Sequence, residues 1–365
     1  MNFSSRLRAI LIGLAMACLT PAAPPMAQAS PREVTDLSTG WHFRFGDAPE
    51  AVTAAGFDDS GWEQVSVPHT WNRVGEYALA RSAATNNAQG VGYYRLTFNA
   101  LAAAQGRRQY LDFAAVAIIA DVWVNGVHVG QHKGAFSRFR FDVTAAWKPG
   151  AATLIVVKAD NSKPALGSST ADVLPLAGDF FIHGGMYRGV SLITANDVGI
   201  DLLDFGGPGV YVRSRPSIEE KRSPFAVEGT GLLEEVASVV ADVRVRNASG
   251  NARSLVIISK IFDAEGTRLN VGQDFFIDSK EVVEKIRLQP GGSAVVSIRM
   301  MLQQPAFWSG LASPKMYTLT VDVREGKRPI DSVTQSFGIR DFKFDANTGF
   351  TLNGKPLKLH GVSRH

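Results

Sequence analysis

The sequence holds one cysteine, Cys18, in 365 residues. An intrachain disulfide is excluded, and the fold must be held by burial of its own core. Long apolar runs are missing as well. The run from Ala9 to Leu19 is shorter than the roughly 20 residues that cross a bilayer. Charge of one sign is also missing: 38 Lys and Arg stand against 34 Asp and Glu, a net of +4. The basic residues are scattered along strand-like segments, which speaks against a nucleic-acid partner. Helical periodicity is scarce. The seven histidines are dispersed with no helix to gather them, so a zinc site is not expected. The glycines of GGPG (206–209) and GVGYYR (90–95) lack the strand-turn-helix setting of a phosphate loop.

Arg6 and Arg8 precede the apolar run, and the small-residue site Ala27-Gln28-Ala29 follows it. That pattern is a secretory signal peptide over residues 1–29. The expectation is an exported protein, periplasmic or secreted, with no membrane attachment after leader removal. Ala15-Met16-Ala17 is a poor lipoprotein cleavage box before Cys18. Without Arg6 and Arg8 the net charge falls to about +2.

Beyond the leader, apolar residues recur with period two. In YYRLTF, Tyr94, Leu96 and Phe98 share one face, and Tyr93, Arg95 and Thr97 the other. Val122 and Val124 precede Asn125-Gly126, and Val127 and Val129 follow, which predicts a hairpin on a tight turn with two positive φ values. FRFDVTAAW (139–147) and ATLIVVKADN (152–161) continue the series. Short strands at such spacing indicate a sandwich or jelly roll. The Gly/Pro/Ser-rich DFGGPGVYVRSRPS then reads as a junction. A second strand series includes Val239, Ala241, Val243 and Val245, then a turn from Asp263 to Gly266, and fits an immunoglobulin-like sandwich. A last hairpin is expected at Asn353-Gly354, with a strand carrying Leu357 and Leu359.

The residues alone leave the chemistry open. Asp179, before Phe180-Phe181 and Gly184-Gly185, can project toward ligand hydroxyls or simply cap a turn. Arg188 can form a surface ion pair, and His183 reads as a surface residue. Trp41, Trp62 and Trp71 can stack on sugar or fill the core. His365, at a strand end, can contact a ligand or serve structure.

Taken together, VPHTW (67–71), GYYRLTF (92–98), VWVNGVHVGQHKGAFSRFRFDVT (122–144) and DFFIHGGMYRGVSLI (179–193) occur in an order that resembles glycoside hydrolase family 2. FWSGLASPKMYTLTVDV (307–323) is similar to that family's W-x-P-x-L-Y strand. The resemblance implies an all-β chain. A sugar-binding jelly roll over 30–196 and a linker over 197–225 precede an immunoglobulin-like sandwich over 226–340, and the first strand of a truncated (β/α)8 barrel follows over 341–365. The Asp-x4-Gly-Gly-x-Tyr-Arg form looks most like the β-galactosidase branch. By that likeness Asp179 and His365 are substrate-binding, as is Asn86 (or Asn87) from an earlier loop. Gly184, Gly185, Arg188 and Arg364 support the site. A retaining glycosidase needs two carboxylates about 5 Å apart. In this family both are glutamates of the barrel, which the resemblance places past residue 365. Glu219, Glu220, Glu234 and Glu235 fall outside the motif and receive no catalytic role. The expectation is therefore the amino-terminal part of an exported retaining β-galactosidase, catalytically inactive alone, acting on a β-galactoside or related glycan. β-Glucuronidase, β-mannosidase and a non-catalytic carbohydrate-binding protein are the alternatives. No cofactor is expected in this chain; the divalent metal of some family members would bind further along the full enzyme.

Overall fold

The computed structural model describes residues 32–72, 88–99, 107–173, 183–221, 232–273 and 279–363. The leader expected over 1–29 lies outside them. The described residues are built from strands, and none of their helices is long and apolar enough to cross a membrane.

The first sandwich opposes two antiparallel sheets. One runs in the order β3 (Glu63–Val65), β2 (Trp41–Phe45), β4 (Val91–Asn99), β9 (Ala152–Asp160), β6 (Ile119–Val124) and β7 (Val127–Lys133). The other runs β1 (Glu33–Asp36), β10 (Val190–Ala195), β5 (Arg108–Phe113) and β8 (Phe139–Asp142). Alternation places Trp41, Phe43, Tyr94, Leu96, Val122, Val124, Ile155 and Val157 in the shared core, each contributing about 1.5–3 kcal/mol by burial. The expected hairpin is present: Asn125 (φ 50°) and Gly126 (φ 83°) turn β6 into β7.

Arg95 departs from simple alternation. It faces away from the core but is 3% exposed, because residues 50–59 fold across it. Its guanidinium donates to the carbonyls of Val52 and Ala54 and to Asp59 Oδ2 at 2.7 Å, and it lies 5.2 Å over the Phe57 ring. Period two in the sequence shows which face a residue occupies, but not whether a later loop covers that face.

In the second sandwich, β13 (Leu232–Asn247) is the spine. β11 (Val198–Ile200) and β12 (Val210–Lys221) share one of its edges, and β16 (Ser293–Gln303) pairs along the other. The opposing sheet runs β15 (Val282–Leu288), β14 (Arg253–Phe262), β17 (Tyr317–Glu325) and β18 (Arg328–Phe337). Val239, Ala241, Val243 and Val245 on β13 are fully buried in its core. The turn at Asp263 forms as expected, with Asp263 N–H donating to Thr267 O and Gly266 N–H to Asp263 O. The linker expected over 197–225 is corrected: it carries β11 and β12. Their backbone groups pair with β13 although the local composition reads as loop, because tertiary pairing overrides weak local propensity.

Two polar clamps join the sandwiches. Buried Asp331 of β18 accepts Arg32 Nη2 at 2.7 Å and Ile200 N–H at 2.9 Å, while Asn196 Nδ2 donates to Ile330 O at 2.6 Å. Arg140 of β8 pairs with buried Asp112 at 2.5 Å and donates to Gly207 O at 2.7 Å.

The region expected to open a barrel instead forms an antiparallel meander of β19 (Phe342–Asp345), β20 (Gly349–Leu352) and β21 (Lys355–Pro356). Its hairpin turns at Asn353 and Gly354, both at positive φ. No strand continues through 357–363, where Leu359 and Val362 are exposed. A barrel strand is held by hydrogen bonds to strands on either side, and among the described residues none lies beside this segment.

Asp59 generates a pH prediction. Partial burial alone would raise its pKa, but hydrogen bonds from Arg95 and from His42, 3.1 Å away, hold it below the ordinary 3.8. A depressed folded value gives stability that is complete above the unfolded pKa and is lost as pH falls through the folded one. Urea unfolding of wild type should therefore weaken as pH drops below 3.8. Asp59→Asn should be less stable at neutral pH and lose less on acidification; equal losses in both proteins would refute the assignment.

Candidate functional site at the loop end of the first sandwich

β2 ends at Phe45 opposite Gly92 near the start of β4, and β9 ends at Asp160 opposite Val91. Segments 67–72, 88–92 and 183–187 converge at this end of the sandwich. The Trp71 ring lies parallel to Phe43 (centroids 6.0 Å, 11°) and tilted against Phe45 (5.2 Å), and its indole N–H donates to Ala88 O at 3.0 Å.

Two glycines make room for that ring. A Cβ on Gly184 would stand 1.9 Å from Trp71 Cζ2, and one on Gly92 2.6 Å from Cζ3. Gly185 has φ +111°, and a Cβ there would meet Tyr94 Oη at 2.5 Å, so both backbone angle and space require glycine.

The polar groups form a connected network. Asn72, 2% exposed, donates from Nδ2 to Ala88 O at 3.1 Å and accepts Gly184 N–H on Oδ1 at 2.8 Å. His69 N–H donates to Met186 O at 2.8 Å. Its Nδ1 lies 2.8 Å from Tyr94 Oη, which accepts Met186 N–H at 3.4 Å. Burial pushes the Tyr94 phenol well above its ordinary range, so it keeps its proton and can donate it to the imidazole. Asn161, also buried, accepts Gly90 N–H and donates its own N–H to Gly90 O, both at 2.9 Å.

Of the residues expected to act on substrate or support its site, Asp179, Asn86, Asn87, Arg364 and His365 lie outside the described residues. Gly184 and Gly185 stand in the cluster just described. Arg188 is exposed, and its guanidinium lies 5.6 Å over the ring of Tyr187. The surface ion pair open to it is not made: no carboxylate among the described residues reaches it. Tyr187 in turn is fixed by its hydroxyl, which donates to Ala135 O at 2.5 Å. His183 is half-buried rather than on the surface, and that burial lowers its pKa below 6.5. Trp41 is fully buried and donates to Leu37 O, so it serves the core. Trp62 packs edge-on against Phe57, centroids 5.7 Å apart.

His69, Asn72 and Tyr94 are the polar residues that sequence reasoning passed over as site elements. His69 and Tyr94 sit inside segments recognised only as family markers. Asn72 directly follows one, and an amide between an apolar motif and a loop was the available signal. His128 and His132, four apart, lie on β7, where His128 meets Asp121 at 3.1 Å and His132 meets Ser137 at 3.2 Å. Among the described residues no three His, Cys, Asp or Glu side chains gather as a metal-binding group. The cluster contains no carboxylate pair and no activated nucleophile. Its chemistry is that of a scaffold that fixes the ends of two chain segments.

The Gly184 contact is directly testable. Gly184→Ala should displace the Trp71 indole and cost roughly 1–3 kcal/mol of stability. Denaturant unfolding followed by tryptophan fluorescence checks this; an unchanged midpoint and spectrum would show that the site has slack.

Comparison with known proteins places this scaffold. The sequence model "Glycosyl hydrolases family 2, sugar binding domain" matches residues 34–196, and "Glycosyl hydrolases family 2" matches 229–340. A β-glucuronidase of Bacteroides fragilis is 31% identical over 331 residues, covering 90% of this chain and 41% of the relative. A β-galactosidase of Bacteroides ovatus is 27% identical over 92% of this chain and 35% of its own length. The structure of Bacteroides uniformis β-glucuronidase 2, covalently bound to cyclophellitol-6-carboxylate aziridine, superposes with a TM-score of 0.76 at 26% identity, over 92% of this chain and 36% of that one. The chain thus spans less than half the length of these relatives. With both of the family's domains matched in order across most of its length, the chain belongs to glycosyl hydrolases family 2.

Proposed function

We propose that this chain is the amino-terminal part of an exported, retaining glycoside hydrolase that removes terminal β-linked sugars, with β-galactosides as its substrate class. The observation that carries the reading is the ordered match of both family domains over a chain that spans only 41% and 35% of two glycosidase relatives. The remaining length has room for a catalytic domain with the two carboxylates that retention requires. In this reading the scaffold around Trp71 presents Asp179 to accept hydrogen bonds from sugar hydroxyls, and His365 lines the same subsite. The Asp-x4-Gly-Gly-x-Tyr-Arg motif supports galactoside. A second reading, β-glucuronide, is favoured by the Bacteroides fragilis β-glucuronidase, which at 31% is more similar to this chain than the Bacteroides ovatus β-galactosidase at 27%.

Steady-state assays on p-nitrophenyl β-D-galactoside and β-D-glucuronide test both. The full-length enzyme should turn over the galactoside with the higher kcat/KM and release the β-anomer, seen by NMR. The 365-residue chain should give no turnover above background. A preference for the glucuronide would replace the first substrate with the second. Turnover by the chain alone would refute the requirement for a further domain.

A further inference from the structure

We infer that Asn72 is a positioning residue for substrate binding, acting by holding the ends of two chain segments at a fixed separation. The inference rests on the proposed function and extends it to a residue that touches no sugar. Asn72 is 2% exposed, and its side chain spans two points far apart in sequence. Nδ2 donates to Ala88 O at 3.1 Å, and Oδ1 accepts Gly184 N–H at 2.8 Å. Ala88 stands two residues after Asn86, and Gly184 five residues after Asp179. Asn72 itself begins the stretch that ends at Ala88. One planar amide thus sets the base of the segment bearing Asn86 and ties it to the base of the segment bearing Asp179.

The surroundings leave that amide little freedom. Trp71 Nε1 donates to the same Ala88 carbonyl at 3.0 Å, and the indole packs against Gly184. Asn72 N–H is held by Thr70 Oγ1 at 3.1 Å, and Gly90 is locked to Asn161 by two hydrogen bonds of 2.9 Å. A donor and an acceptor at one end of a short, rigid side chain are both needed. Asp offers no donor for the Ala88 carbonyl, and Gln has the right groups on a longer arm.

The test is made in the full-length enzyme with Asn72→Ala, Asn72→Asp, Asp179→Asn and the double variant Asn72→Ala/Asp179→Asn. Asn72→Ala should raise KM about tenfold or more through misplacement of binding groups. Its kcat should change less than about threefold, as expected when binding common to ground and transition states is lost. Asn72→Asp, which keeps the acceptor for Gly184 N–H, should fall between Ala and wild type. Asn72→Ala should add little to the KM of Asp179→Asn, because both remove one contribution. Thermal unfolding of each variant separates this from mere loss of folded enzyme, which lowers apparent kcat and leaves KM alone. Wild-type KM in Asn72→Ala, or a KM effect that multiplies fully with that of Asp179→Asn, would overturn the positioning role. An unchanged KM in Asp179→Asn would instead sink the reading of Asp179 as a sugar contact.

Discussion

A buried amide must find partners for both its ends or pay heavily for desolvation, and at the loop end of the first sandwich that requirement organises the architecture. Asn72 satisfies it with Ala88 O and Gly184 N–H. The Trp71 indole can lie flat beside Phe43 only because Gly92 and Gly184 leave its edge unobstructed. Gly185 brings the backbone close enough for Met186 N–H to reach the Tyr94 hydroxyl, and Tyr94 meets His69. Each contact presupposes the others, and the rigidity of the cluster comes from that closure rather than from any single bond.

Much of this fold was legible in the sequence because strands have a two-residue period. The alternation in 239–245 gave the face of β13 that is now fully buried, and Asn125-Gly126 and Asn353-Gly354 gave turns whose φ values are positive as required. What was not legible depended on long-range pairing. Residues 198–221 read as a junction because glycine and proline mark loops locally, yet β13 supplies them with a partner strand. Arg95 read as a solvent-facing residue because nothing nearby in sequence announces that residues 50–59 will cover it. A barrel strand over 355–365 was legible as a motif, but a motif does not supply the neighbouring strands that would pair with it.

The site was legible in part and for a similar reason. The segments VPHTW, GYYRLTF and HGGMYRG stood out as motifs, but that His69, Asn72 and Tyr94 meet Gly184 to Met186 is a property of topology. Residues separated by 112 positions are joined by one hydrogen bond between Asn72 and Gly184. Sequence reading looked for reactive side chains, and the described part of the site is instead made of groups that hold others in place, which carry no catalytic signature.

The pairing of β11 and β12 with β13 has a consequence for how the protein divides. The two family matches stop at residue 196 and resume at 229, so they invite a cut between them. A polypeptide beginning at 229 would leave one edge of β13, from Leu232 to Asn247, stripped of its ladder. A long bare edge of that kind is a template for intermolecular strand addition. The inherited modules and the cooperative folding units of this chain therefore have different borders, and the second sandwich is complete only when its first strands arrive with the tail of the first.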